Sequence, residues 1–256
     1  MKSPNWWKKA FVGGAFPVDA LSDSPAFKKQ TREQLPFLLQ ALKIKRGSSL
    51  LDVCCGTGRH AVPLSRKGIA VTGVDISKRY LSLARAAKTK ARFFERDMRS
   101  IGFENEFDAA INMWTSFGYF DRATDDLKAL RSIRKALKPG GRFLLQTING
   151  ARLRGILEWM REKEVPTDRW SEFAPDCFVL ERPRLANNDT VVETDWTIIR
   201  KNRRDRLTSR VRLYDGESLT RSLSKAGFTV ESYHGDCDGS TYDPSDSLRI
   251  VVVARK

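Results

Sequence analysis

The sequence predicts an α/β fold: a mostly parallel sheet with helices on both faces, followed by an inserted antiparallel β meander. Three observations predict it. From residue 48 onward, apolar and β-branched runs alternate with helical segments through short connections, as βα units require. After residue 176 the rhythm changes to three extended segments divided by turn signals. The chain has 256 residues, 41% hydrophobic and 30% charged, enough to bury one large core without staples.

Residues 1–46 are expected to form a helical and aromatic lid carrying Trp6, Trp7, Phe11 and Phe16. The core domain is expected over 47–150. Its first strand spans 48–53, after the turn signal Arg46-Gly47, and its first helix runs from about Arg59 to Lys67, closed by Gly68. A second strand covers 69–75, and Ser77 caps a helix reaching about Lys88. Short strands follow at 92–96 and 107–112. A helix over 124–137 is stopped by Pro139-Gly140-Gly141, and a fifth strand covers 142–148. An insertion is expected over 151–213, with a helix at 153–162 and extended runs at 177–182, 190–200 and 207–213. Residues 214–256 return to the core with a helix starting at Asp215 or Ser218 and ending at Gly227, then strands at 228–234 and 248–254.

Composition narrows the function classes. No apolar run is long enough to span a bilayer, and the N-terminus lacks the apolar stretch of a secretory signal. Cys54, Cys55, Cys177 and Cys237 form no metal-binding spacing with His60 and His234, and adjacent Cys54 and Cys55 suit a disulfide poorly. Reduced thiols in the cytoplasm are the expectation, with no metal. The net charge of +15 is spread along the chain, apart from Arg200, Lys201, Arg203, Arg204 and Arg206 at a hairpin tip. A nucleic-acid reader concentrates charge on one face, so this run is read as a solvated loop.

The chemistry lies in Leu51-Asp52-Val53-Cys54-Cys55-Gly56-Thr57-Gly58-Arg59-His60, which leaves a strand and opens a helix. Gly56 and Gly58 allow a tight turn and close approach to a ligand. Asp75 ends the next strand, where a carboxylate can accept from ribose hydroxyls. Gly56-x-Gly58-x-x-Ala61 also satisfies a dinucleotide fingerprint, so NAD is the rival cofactor. Asp52 at the strand mouth would repel a pyrophosphate and attract a cationic amino-acid moiety. Asp97, after the third strand, is placed to accept from an adenine amine. Three acids thus suit a ligand with an ammonium, two ribose hydroxyls and an adenine.

Asp52-x-x-x-Gly56-x-Gly58, Val74-Asp75-Ile76-Ser77, Arg96-Asp97-Met98, Phe107-Asp108-Ala109 and Leu137-Lys138-Pro139-Gly140-Gly141 resemble the ordered motifs of class I S-adenosylmethionine-dependent methyltransferases. The resemblance implies a Rossmann-like, seven-stranded sheet whose last strand inserts antiparallel between the fifth and sixth. It implies S-adenosyl-L-methionine as cofactor, with Asp52, Gly56 and Gly58 toward the methionine moiety, Asp75 and Ile76 at the ribose, and Asp97 and Met98 at the adenine. The backbone near Asn112 and Met113 would receive the amino group. Thr115-Ser116-Phe117-Gly118-Tyr119-Phe120, Arg212-Leu213-Tyr214, Gly235-Asp236 and Arg249 are similar to a bacterial subgroup that resembles the amino-sugar N-methyltransferases. Those enzymes often carry Tyr at the N-terminal lid, where this chain has Trp6, Trp7, Phe11 and Phe16.

The expected activity is methyl transfer to an N or O nucleophile of a small-molecule acceptor. Tyr119, Arg212, Tyr214 and Arg249 are the expected substrate residues, and the arginines suit an anionic acceptor. His60, Tyr119 and Tyr214, with His234 and Asp236, are candidate bases, and the residues do not single one out. Alternatives are a methyltransferase acting on RNA or protein, motivated by the basic charge, and a non-catalytic ligand-binding member of the fold. Against RNA, Asn112-Met113-Trp114-Thr115 stands where many base N-methylating enzymes carry Asn/Asp-Pro-Pro-Tyr/Phe. The Trp6-Trp7 pair closes over the ligand, packs on the sheet or meets a second copy in a homodimer.

Overall fold

The computed structural model describes residues 5–201 and 203–256; residues 1–4 of the expected lid and Asn202 of the basic hairpin lie outside them. Several elements start where local chemistry predicts. After a π-helical turn at Lys8–Val12, two helices follow, Val18–Asp23 (α1) and Pro25–Ala41 (α2). Ser24 accepts from the Phe27 amide and Pro25 fills the first turn of α2, both favourable at a helix start. The core then alternates Ser49–Val53 (β1), Ala61–Arg66 (α3), Ala70–Asp75 (β2), Lys78–Ala86 (α4), Arg92–Glu95 (β3), Phe107–Asn112 (β4), Ala123–Ala136 (α5) and Leu137–Ile148 (β5). Ser77 caps α4 as expected, through its bond from the Tyr80 amide.

The insertion begins with Gly150–Glu162 (α6), capped by Asn149. Four strands follow: Arg169–Ala174 (β6), Cys177–Ala186 (β7), Val191–Arg200 (β8) and Arg203–Arg212 (β9). Gly216–Ala226 (α7) carries a reciprocal capping box between Asp215 and Ser218 and ends at Gly227 in the left-handed region. Thr229–His234 (β10) and Arg249–Arg255 (β11) complete the chain.

The main sheet has the order β10-β11-β5-β4-β1-β2-β3. β11 is antiparallel to both β5 and β10, while β1 to β5 pair in parallel. The fold class expected from the sequence is therefore the observed one, including the last strand between the fifth and sixth. Apolar runs account for the central strands: Leu50, Leu51, Val53, Ile111, Phe143, Leu144, Leu145 and Ile250 to Ala254 are buried.

Three local expectations need correction. Pro139-Gly140-Gly141 does not follow a helix stop as loop; the helix ends at Ala136, and Leu137 already pairs with Phe107, so the segment opens β5 across a register shift. The meander has a fourth strand, β6, paired with β7. Its residues, Arg169 to Ala174, are all exposed or half-buried and offer no continuous apolar run to read. The basic hairpin is only partly a solvated loop. Arg200 donates to Asp205 at 2.6 Å and to the Gly14 carbonyl at 3.2 Å, whereas Arg203, Arg204 and Arg206 are exposed.

The second sheet, β6-β7-β8-β9, buries Val179, Ile198, Leu207 and Val211 in the same core that holds Leu145 and Phe117. Its β9 edge is covered by the N-terminal segment: Trp6 Nε1 donates to the Arg210 carbonyl at 3.0 Å and Lys9 Nζ to the Arg206 carbonyl at 2.7 Å.

Gly73, inside β2, has no room for a side chain. A Cβ there would lie 2.7 Å from the Phe93 ring and 2.8 Å from Cys55 Sγ. Gly73→Ala is expected to lower stability by about 1–3 kcal/mol, the usual cost of overpacking. Urea unfolding measures it, and an unchanged midpoint would contradict the tight β2–β3 contact.

Candidate active site

The carboxyl ends of β1, β2 and β4 converge, and the backbone there leaves ordinary geometry. Cys54 follows β1 with φ 60°, and the consecutive residues Trp114 and Thr115 follow β4 with φ 56° and 60°. Left-handed non-glycine residues cost about 1–3 kcal/mol each and cluster where geometry serves a ligand.

The turn from β1 into α3 is built on Gly56, φ 53°, and Gly58, φ 82°. A Cβ on Gly58 would come within 2.9 Å of Val62 and 3.1 Å of Ala84, so this glycine lets the start of α3 pack against α4. Gly56 has open space on that side, with Val18 the nearest neighbour at 4.0 Å. Its amide donates to Asp75 Oδ2 at 2.9 Å, while the Ser77 amide donates to Oδ1 at 2.8 Å. Asp75 therefore ties the glycine turn to the end of β2, and each oxygen keeps a further lone pair for a ligand hydroxyl. Burial raises its pKa, and the three amides of Ser77, Gly56 and Ile76 oppose that rise.

Asp52 lies beneath the turn, 2% exposed, and its Oδ2 has no hydrogen-bond partner among the described residues. Burial pushes its carboxyl up to about 8, against a bond from the Ala61 amide. Asn112, at the end of β4, donates Nδ2 to the Val53 carbonyl at 3.0 Å and leaves Oδ1 without a donor. Buried acceptors without donors are costly, so the ends of β1 and β4 call for a ligand rich in N–H and O–H groups. Asp97 caps the single turn Met98–Ser100. Burial works against its ionisation, but the Arg99 side chain, donating at 2.6–3.2 Å, and the Arg99 amide hold its carboxyl below the usual range. Met98 is buried beside Cys54, with their sulfurs 3.9 Å apart.

The N-terminal segment spans this edge. Ser77 Oγ donates to the Phe11 carbonyl at 3.1 Å, Tyr80 Oη to the Phe16 carbonyl at 3.1 Å, and Thr57 Oγ1 to Ser22 at 3.0 Å. Arg79 pairs with Asp19. Tyr119 is wedged between Trp6, 4.9 Å away edge-on, and Phe11, stacked at 5.8 Å. Trp7 meets Phe120 edge-on, and Arg99 lies over the Phe120 ring at 4.4 Å.

Other candidates from the sequence fall elsewhere. Tyr214 donates its hydroxyl to Asp126 Oδ2 at 2.9 Å, and Arg212 Nε donates to the same oxygen at 3.0 Å. Arg212 also donates to the Phe120 and Asp121 carbonyls. Both side chains tie the insertion to α5 through this one carboxylate. His60 is the N-cap residue of α3, and its side chain makes no capping hydrogen bond among the described residues. Its Nε2 meets Gln34 Oε1 at 3.0 Å, and burial, aided by Arg59, pushes the imidazole down to about 3. It is a buried imidazole, held against α2 by Gln34. His234 bonds to Ser232 and packs on Phe37. Met113 is buried in the core, Ile76 is half-buried beside the turn, and Arg249 donates to Thr115 Oγ1 at 3.1 Å. Sequence reasoning missed Asp126, Gln146 and Arg59. Gln146, the polar residue after Phe143-Leu144-Leu145, was the detectable signal; it accepts from the Trp114 amide and donates to Asp236 Oδ1 at 2.8 Å. Asp126 looked like an ordinary first-turn acid.

With this geometry in place, likeness to known proteins becomes specific. Residues 50–141 match the family model described as a methyltransferase domain. They form a class I S-adenosylmethionine-dependent methyltransferase domain. The chain is 36% identical to the putative methyltransferase YqeM of Bacillus subtilis (strain 168) over 99 residues, 37% of this chain and 40% of that protein. The match thus spans two-fifths of that relative's length. A putative methyltransferase of Geobacillus sp. (strain WCH70) is 28% identical over 216 residues, 81% of this chain and 84% of the relative. The fold resembles that of the solved CalS10, an amino pentose methyltransferase of Micromonospora echinaspora bound to S-adenosylmethionine. The TM-score is 0.64 at 18% identity, covering 91% of this chain and 93% of that one. The methyltransferase domain so defined contains the glycine turn, Asp52, Asp75, Asp97 and the loop after β4.

Two measurements follow from the buried acids. The Asp52 carboxyl keeps its proton in the folded protein up to about pH 8 but loses it near pH 4 when unfolded. Its folded pKa is raised, so this group makes stability fall as pH rises between those values. Asp52→Asn should flatten that fall, by up to about 1.4 kcal/mol per pH unit. Chemical denaturation at pH 5, 6.5 and 8 reads the difference, and parallel pH profiles would refute the assigned burial. Tyr214→Phe should cost about 1.5–3 kcal/mol of stability, the range for a hydrogen bond to a charged group. Full retention of stability would show that the Asp126 contact is not made.

Proposed function

We propose that the protein transfers a methyl group from S-adenosylmethionine to a nitrogen or oxygen of a small-molecule acceptor. The observation that carries the reading is the pair of buried side-chain oxygens with no hydrogen-bond partner among the described residues, Asp52 Oδ2 and Asn112 Oδ1, set beside the glycine turn of a methyltransferase domain. When bound, the cofactor supplies a methyl group already activated on a sulfonium. Its ammonium would favour the ionised form of Asp52 and donate to that carboxylate and to Asn112, Asp75 would take the ribose hydroxyls, and Asp97 and Met98 would border the adenine. Asp97 keeps acceptor capacity beyond the bonds from Arg99, because a carboxylate has about four lone-pair sites.

The remaining work is orientation and exclusion of water, which activated donors need most. Trp6, Phe11 and Tyr119 supply an apolar cover at the strand ends. Burial raises the Tyr119 phenol above its ordinary range, so it acts as a hydroxyl and wall, not as a phenolate base. Tyr119 and Arg249 remain the proposed acceptor-side groups. The amino pentose methyltransferase, of the same overall fold, supports a small polar acceptor.

Calorimetry with S-adenosylhomocysteine tests the reading. Binding is expected, with NAD binding weaker, and Asp75→Ala should lose about 1–3 kcal/mol of binding free energy. NAD binding without S-adenosylhomocysteine binding would overturn the proposal.

A further inference from the structure

At the Arg99 side chain, the turn after β3, the loop after β4, the start of α5 and the N-terminal cover meet. Arg99 lies in the single turn Met98–Ser100, which Asp97 caps. Its Nε reaches Asp97 Oδ1 at 3.0 Å and Oδ2 at 3.2 Å, its Nη2 donates to Oδ2 at 2.6 Å, and its amide donates to Oδ1 at 2.9 Å. The remaining nitrogen, Nη1, lies 3.7 Å from Asp125 Oδ2 in the first turn of α5. The guanidinium carbon sits 4.4 Å from the centre of the Phe120 ring and 6.0 Å from that of Trp7. Trp7 and Phe120 themselves meet edge-on at 6.1 Å.

The two charged side chains are 31% and 30% exposed, and between partners that water reaches, attraction alone contributes little. What the pair contributes is direction. A guanidinium fork and a carboxylate are both planar, so a two-point contact sets the plane of the acid. The Phe120 face holds the fork in turn, by cation–aromatic attraction. Arg99 brings three donors, its amide, Nε and Nη2, to a group with about four lone-pair sites. The acceptor position left over is on Oδ2. A carboxylate held in one plane with one open position accepts an N–H there and repels an oxygen.

We propose that Arg99 is a positioning residue: it fixes the Asp97 carboxylate to read an N–H donor on the cofactor's nucleobase, and Phe120, packed on Trp7 of the cover, keeps the fork in place. The inference rests on the reading of function above, which sets the adenine beside Asp97. An adenine presents an exocyclic amine to that oxygen, and a hypoxanthine presents a carbonyl. Without the fork the carboxylate turns freely, loses its bond to the amine and no longer opposes the carbonyl.

The test titrates wild type and variants with S-adenosylhomocysteine and with S-inosylhomocysteine, which carries the carbonyl in place of the amine. Wild type should prefer the adenine compound by about tenfold or more, the value of a hydrogen bond to a charged group. Arg99→Gln should bring the two affinities to within about threefold of each other. Arg99→Lys keeps a cation between Asp97 and Asp125 but has no fork. Its preference should fall as well, and it carries the test if the Gln variant does not fold. Phe120→Leu keeps an apolar side chain without the ring. It should lower the preference part of the way in wild type and not at all in Arg99→Gln, because both changes act through one contact. A wild type with equal affinities would overturn the role of Arg99. So would folded Arg99 variants that lose both affinities equally or neither, since a residue needed only for packing leaves the ratio unmoved. An equal effect of Phe120→Leu in both backgrounds would overturn the link to the cover. Wild type that binds neither compound would overturn the cofactor reading and this role with it, whereas tight S-adenosylhomocysteine binding with an unmoved ratio would overturn this role alone.

Discussion

The parallel alignment of β1, β2, β4 and β5 is the constraint on which the rest depends. Parallel strands must be joined by crossovers, so their carboxyl ends share one edge of the sheet. The chain turns to one side from β1 through β2 to β3 and to the other through β4 and β5, which opens a crevice between β1 and β4. Asp52 and Asn112 stand at its two lips, and the bond from Asn112 Nδ2 to the Val53 carbonyl joins those lips. Asp75 fixes the turn above them through the Gly56 and Ser77 amides. The acids of the site are therefore also its framework, and burial raises the pKa of Asp52 and Asp75 as a consequence.

The other structural layer is the cover. The N-terminal segment cannot fold as an isolated helix pair, since its aromatics need surfaces supplied by distant residues. Trp6 and Phe11 take Tyr119, Phe16 takes Phe173 and Trp196, and the carbonyls of β9 take Trp6 and Lys9. The inserted sheet thus serves as a buttress that holds the cover over the strand ends. Arg200 closes the arrangement by linking the hairpin to Gly14. Asp126 anchors the far end of the same insertion through Arg212 and Tyr214. The same sheet also meets the loop after β4 directly, where the Arg212 amide of β9 donates to the Gly118 carbonyl at 2.8 Å.

Much of this was legible beforehand because strand and glycine signals are local. Apolar β-branched runs reveal β1, β2, β4 and β11, and a short polar residue before each helix reveals α4 and α7. The order of acids and glycines between residues 52 and 97 carries the ligand chemistry, because each residue stands at a strand end whatever the details of packing. β6 was not legible: its residues are exposed or half-buried without a strong apolar face, and pairing with β7 makes them a strand.

The sequence by itself determined the α/β architecture, the position of the last strand as the family resemblance implied it, and the placement of Asp52, Asp75 and Asp97 at neighbouring strand ends. Tertiary structure decided which polar side chains remain available there. Arg212 and Tyr214 stand close in sequence to the expected pocket, but a buried carboxylate on α5 claims them both, and the cost of leaving Asp126 uncompensated makes that claim strong. His60 is drawn into α2 by Gln34 and loses its ability to carry charge. Arg59 finds Thr31 and Gln34 on α2, and Arg249 finds Thr115 after β4, partners that only the assembled fold supplies. Local patterns set where a side chain begins; burial and its partners, which come from remote segments, set what it can do.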